Sequence, residues 1–251
     1  MLTEKLINLN VDLPAFQRVF TPAVKKTADI LKKYGFETRV VGGAVRDFVQ
    51  GKSPRDIDFA TDADPSELIY VFQKENIPYD DKGISHGTIK AVFGNEKVDV
   101  TSIAYKIEMK DGKPRIIKDQ DWEQDAQHRD LTMNSLSVGN DGILYDYTGG
   151  LKDIQQQIVR MTPVTRARLQ DDPHIILRWF KALGSFDNPR WPREDYVAIK
   201  AALPFLKNIK GEEKTDREIS SIITSKHGQK LMRIMCKIGA APYLGISCDL
   251  D

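Results

Sequence analysis

The stretch VVGGAVRDFVQGKSPRDIDFAT, Val40 to Thr61, constrains this chain more than any other. An apolar strand ends in two glycines, Gly42 and Gly43, which turn into a short helix. A second strand, DIDFAT, alternates Ile57 and Phe59 with Asp56 and Asp58. Residues two apart in a strand share a face, so both carboxylates are expected to project from one surface. Carboxylates held that close repel each other unless a cation lies between them. An all-oxygen pair suits Mg²⁺, which completes its shell with water and substrate phosphates. An exposed strand with two solvated aspartates is the plain alternative, and D-x-D alone does not decide between them. The glycines let backbone N–H groups approach an anion, and Arg46, one turn into the helix, can add charge-assisted bonds to phosphate oxygens or pair with Asp47. Neither G-x-G-x-x-G nor G-x-x-x-x-G-K-[ST] is present, which argues against dinucleotide and Walker sites. A bare backbone beside a fork of negative charge points to nucleoside triphosphate chemistry.

The surrounding pattern is mixed α/β. TPAVKKTADILKKYG reads as a helix capped by Thr21, started by Pro22 and stopped at Gly35, with Val24, Ala28 and Leu31 on one face. ETRVV follows as a strand, Asp64-Pro65 opens another helix, and GTIKAVF and KVDVTSI alternate as strands about a Gly94-Asn95 turn. From Leu169 onward the pattern is helical, which places a boundary near residues 160–168. A chain of 251 residues can bury such a head and a helical appendage. Net charge is +1, against a protein coated in basic residues, although the part up to Leu151 is acidic and the remainder mildly basic. Cys236 and Cys248 lack metal-ligand spacing, and a reduced intracellular setting is the expectation. With no apolar signal core in MLTEKLINLN and no long apolar run, the chain reads as cytoplasmic, with no membrane partner.

GGAVRD, RDIDFAT and SHGTIKA, followed by DWEQDAQHRDLTMNSLSVGNDGILYDYTGGLKDI, resemble the class II tRNA nucleotidyltransferase and poly(A) polymerase family. The likeness runs over residues 38–246 and is strongest to the eukaryotic and mitochondrial type of CCA-adding enzyme, with AAPYLGI echoing the end of its neck. The resemblance implies an α/β head of the polymerase-beta-like nucleotidyltransferase type, a mixed β-sheet flanked by helices over residues 1–165, and an all-α neck over 166–251 that binds nucleotide and RNA. It places the catalytic, metal-binding pair on Asp56 and Asp58, with two Mg²⁺ ions, and the triphosphate site on Gly42, Gly43 and Arg46. The family's R-R-D, which contacts the ribose 2′-OH, appears as His128, Arg129 and Asp130. Its E-D-x-x-R-x-x-R-x-x-R helix, a protein template for the incoming base, appears as DDPHIILRWFK: Asp171 and Asp172 match the acidic pair, Arg178 the middle arginine, and Lys181 replaces the last.

The departures are as informative as the matches. Ile175 stands where the base-pairing arginine falls and offers no N–H donor to a base edge. Weakened base selectivity is the expectation, with purines favoured by stacking if the Trp179 ring faces the pocket. The bland alternative is a core helix whose apolar face carries Ile175, Ile176, Trp179 and Leu183. The neck motif is reduced to Glu213, Lys214 and Glu218-Ile219, and the sequence stops where relatives continue into a helical body and tail. Asp99, in VDVTSI, is a possible third carboxylate. The implied activity is template-independent addition of nucleotides, CCA or part of it, to RNA 3′ ends, with tRNA, CTP and ATP as partners. A poly(A)-type or single-nucleotide-adding enzyme, a non-catalytic RNA-binding relative and a triphosphate-binding regulator remain as alternatives.

Overall fold

The computed structural model describes Phe16, Arg18, residues 20–54, 56–103 and 121–248, with the backbone alone of 106–110 and 113–117. The opening segment MLTEKLINLN lies outside the described residues. Chain packing divides the molecule into two compact units: residues up to Ala126 with Asn134–Thr148, and Gln127–Met133 with everything from Gly149 onward.

The first unit is built on a seven-stranded sheet in the order β3-β4-β5-β2-β1-β8-β9. Its strands are β1 (Thr38–Val41), β2 (Asp58–Thr61), β3 (Tyr79–Asp80), β4 (Thr88–Phe93), β5 (Glu96–Ser102), β8 (Ser137–Gly139) and β9 (Leu144–Tyr145), while β6 (Lys106–Lys110) and β7 (Lys113–Ile117) form a separate hairpin. Among the described strands only β2 and β5 pair in parallel. Helix α1 (Pro22–Lys33) starts as expected, with the Val24 N–H donating to the Thr21 hydroxyl, and buries Val24, Ala28 and Leu31. After α2 (Gly43–Val49), helix α3 (Pro65–Lys74) begins with a capping box in which Asp64 accepts from the Ser66 and Glu67 N–H groups and Glu67 accepts from the Asp64 N–H. Such a start is worth about 1 kcal/mol. Phe59, Leu68, Phe72, Ile89 and Val100 are among the fully buried side chains, each contributing about 1.5–3 kcal/mol by burial. On one sheet face the Arg39 guanidinium is held between the rings of Trp122, at 4.0 Å, and Tyr145, at 3.6 Å.

Helix α4 (Trp122–His128) leads into the second unit, which contains α5 (Gly150–Gln155), α6 (Pro163–Ala167), α7 (His174–Leu183), α8 (Arg193–Ala202), α9 (Glu213–Ile223) and α10 (Gly228–Ile238). α7 packs on α9 and α10, with Ile176, Trp179, Phe180 and Leu183 fully enclosed. Gly150 is required where α5 meets the 127–133 segment, since a Cβ there would lie 2.1 Å from the Thr132 carbonyl oxygen. The expectation of two unpartnered thiols is corrected: Cys236 and Cys248 are bonded to each other, with Cα atoms 5.7 Å apart. The chain turns back after α10 through Gly239 and Gly245, both at positive φ, and sequence spacing alone does not show such a return. No described helix is long and apolar enough to cross a membrane.

Candidate active site

In the first unit, the register of β1 on β2 builds the site. Val41 lies opposite Asp58, so Gly42 and Gly43, the next two residues, emerge beside the start of β2. Gly42 has φ 73° and ψ −135°, a backbone shape costly for any residue with a Cβ, and its N–H donates to the Leu136 carbonyl at 3.3 Å. The expected alternation is cut short: β2 begins at Asp58, opposite the last residue of β1, Val41, and Asp56 lies just before it, because the turn at Gly42 leaves no partner strand for it. Both carboxylates are exposed.

Arg46 folds back over Gly43, the terminal Nη2 sitting 3.5 Å from where a Cβ would be. Its Nε and Nη2 donate to Asp47 Oδ1 at 2.9 and 2.7 Å, and its Nη1 donates to Asn134 Oδ1 at 2.9 Å. The pairing with Asp47 is therefore made, yet two of the five guanidinium N–H groups remain for a phosphate. Asn134 was not singled out from the sequence; it ends the short helical turn Thr132–Asn134, flanked by the buried Met133 and Leu136, where a single amide carries no pattern of its own. Asp99 precedes Val100, the parallel partner of Phe59, and so lies on the strand beside Asp58. Lys90, its partner across β4, grips it at 2.5 Å. That ion pair supplies the cation a third metal carboxylate would otherwise need. His86 is exposed in a short turn.

The donor set fits a hard divalent cation. Two exposed carboxylates offer oxygen only and leave room for water and phosphate, as Mg²⁺ requires. Among the described residues no group of three or more His, Cys, Asp or Glu side chains is arranged around a metal position, so substrate oxygens would have to complete the shell.

In the second unit a different set is gathered. The Arg129 carbonyl accepts from the hydroxyls of Thr162 and Thr165, each at 2.9 Å, and Thr132 donates to the buried Asp153 carboxylate at 2.7 Å. These bonds fix the Arg129-Asp130 segment against the chain before α7. Asp130 Oδ2 lies 3.3 Å from Arg178 Nε, and Arg178 Nη2 donates to Asp172 Oδ2 at 3.1 Å. One guanidinium thus bridges two carboxylates. Burial pushes the Asp172 carboxyl up, but Arg178, then Lys214 and His174, outweigh it and hold the group below its ordinary value.

Lys181 is exposed and pairs with Glu218 of α9 at 3.1 Å. Ile175 is 3% exposed and Trp179 is fully buried, its ring edge-on to Phe180 and Trp191. The expectation that Trp179 could stack a base is corrected: α7 turns its apolar stripe into the core, and both residues lie on that stripe. His174 is also drawn inward, its Nε2 3.2 Å from Thr215 Oγ1 and from Glu212 Oε2.

Residues 38–160 match the poly A polymerase head domain family. Across 100% of its length the chain is 33% identical to the mitochondrial CCA tRNA nucleotidyltransferase 1 of Mus musculus. The chain belongs to the tRNA nucleotidyltransferase and poly(A) polymerase family. It spans 58% of the mouse relative's length. It is 32% identical, over 83% of the chain and 52% of the relative, to a CCA-adding enzyme of Bacillus licheniformis. The Bacillus stearothermophilus CCA-adding enzyme in complex with CTP shares the fold, with a TM-score of 0.74, 24% identity and coverage of 90% of this chain and 54% of that one. Within the poly A polymerase head domain fall Gly42, Gly43, Arg46, Asp56, Asp58, Asp99, Arg129 and Asp130, while Asp172, Arg178 and Lys181 lie beyond it.

Proposed function

We propose that the protein is a template-independent RNA 3′-end nucleotidyltransferase that adds CCA, or part of it, to tRNA from CTP and ATP, with residues 1–165 as the catalytic head and 166–251 as a neck that binds nucleotide and RNA. The observation that carries this reading is the β1–β2 register, which sets a bare glycine turn beside the exposed Asp58. Bound Mg²⁺, held by Asp56 and Asp58, would neutralise triphosphate charge and favour ionisation of an RNA 3′-OH. Gly43 and Arg46 bind the triphosphate and orient its α-phosphorus for in-line attack, and pyrophosphate leaves. Arg129 and Asp130 take the ribose 2′-OH. Asp172 and Arg178 are the polar groups of the α7 region for the base, and the Lys181–Glu218 pair joins α7 to α9.

The burial of Ile175 favours a second reading within the same chemistry, an enzyme with relaxed base choice that adds a single or repeated nucleotide. Incubating the protein with a tRNA lacking CCA, Mg²⁺ and each labelled triphosphate in turn separates the two. Ordered C and A incorporation supports the first, A or mixed runs the second, and no incorporation with any triphosphate contradicts both.

A further inference from the structure

α10 buries Gly228, Leu231, Met232, Met235 and Ile238 on one side. Lys230, Arg233 and Lys237, three and four residues apart, fall on the opposite side and are exposed, with exposed Lys226 just before the helix. From Ile219 to Cys248 the sequence contains no Asp or Glu, in a chain whose net charge is only +1. Asp187 answers the near end of this stripe: its carboxylate lies 3.5 Å from Lys226 and 3.3 Å from His227, and its carbonyl accepts from Lys230. The side chains of Arg233 and Lys237 make no hydrogen bond or ion pair with any described residue. Beside Lys230 opens a groove of about 470 Å³ lined by Gln156, Gln157, Asn188, Pro189 and Arg190.

We propose that the outward face of α10, continued by this groove, is a binding surface for the phosphate backbone of RNA. The choice of RNA rests on the function proposed above. The stripe supplies positive charge along about 10 Å of helix. The amide-rich groove supplies donors and acceptors for phosphate oxygens and 2′-hydroxyls. A lipid surface is disfavoured because the apolar face of α10 is already committed to the core and cannot insert. A protein partner is disfavoured because the groove offers no aromatic or aliphatic anchor pocket.

The test compares the parent with the double variant Arg233→Glu/Lys237→Glu, and with Lys25→Glu/Lys32→Glu, which makes the same charge change at two exposed lysines of α1. Binding of a tRNA lacking CCA is followed by fluorescence anisotropy across a salt series, and transfer kinetics are measured in parallel. The surface predicts that the α10 variant loses tenfold or more in affinity, and that its salt slope shrinks by roughly 0.9 for each phosphate contact removed. KM for RNA should rise while KM for CTP stays put, and the α1 variant should track the parent. Equal affinity and slope in the α10 variant and the parent, or equal losses in both variants, overturn the surface and leave the enzymatic reading standing. Stripe-dependent binding without transfer by the parent upholds the surface and contradicts the enzymatic reading. A parent that binds no tRNA overturns the surface outright.

Discussion

Arg178 touches Asp130, assigned by family resemblance to the sugar, and Asp172, assigned to the base. Removing either carboxylate therefore changes how the other is held. Asp130→Ala should raise the relative use of deoxynucleotides, because the partner of the 2′-OH is lost, by about 1–3 kcal/mol or roughly 5- to 150-fold in the ratio of kcat/KM values. An unchanged ratio in single-turnover comparison would remove Asp130 from the sugar site. Single residues were legible where the backbone demanded a type, as Gly42 does at φ 73° in the turn after β1. They were not legible where only packing decides. Nothing in DDPHIILRWFK says whether Ile175 and Trp179 line a pocket or a core, because a template helix and a core helix share one period. Burial shows that they belong to the core, and that an arginine at Ile175 would bring an unpaired charge into it.

Among the helices, the starts of α1 and α3 were readable because Thr21-Pro22 and Asp64-Pro65 carry cap signals, whereas α7 through α10, which begin without a side-chain cap, were readable only from their helical period. The cross-chain pins of the second unit were not, since they join residues distant in sequence. Asp195, at the start of α8, accepts from the Met161 N–H at 2.7 Å and from Arg166 Nε at 2.8 Å. Burial pushes its carboxyl above the ordinary value, only partly offset by those donors. With the folded value above the unfolded one, the native state binds the extra proton, so this group's contribution to stability is full below about pH 4 and is lost as pH rises through the raised value. Asp195→Asn should remove that decline. Urea unfolding of both proteins between about pH 3.5 and 6 checks it, and parallel curves would contradict the assignment.

For the whole molecule, the sequence carried the family through several ordered motifs, each weak alone and specific together, and identity to the mouse relative runs the full length of the chain. It did not carry the division into units, in which Gln127–Met133 packs with the later residues while Asn134–Thr148 packs with the earlier ones. That exchange depends on contacts such as the Leu131–Met161 bridge, which no local pattern announces. The proposed function needs the exposed carboxylates beside the glycine turn to hold the metal for nucleotidyl transfer. The most direct measurement is incorporation of labelled CTP into a tRNA lacking CCA, by the parent and Asp58→Ala side by side, with Mg²⁺ varied. Asp58 is exposed, so the variant should keep the parent's unfolding free energy to within about 0.5 kcal/mol. The expected result is Mg²⁺-dependent transfer by the parent and, for the variant, a barrier raised by about 4 kcal/mol or more, about a thousandfold or more in rate. A folded Asp58→Ala protein that transfers nucleotide at the parent's rate would contradict it.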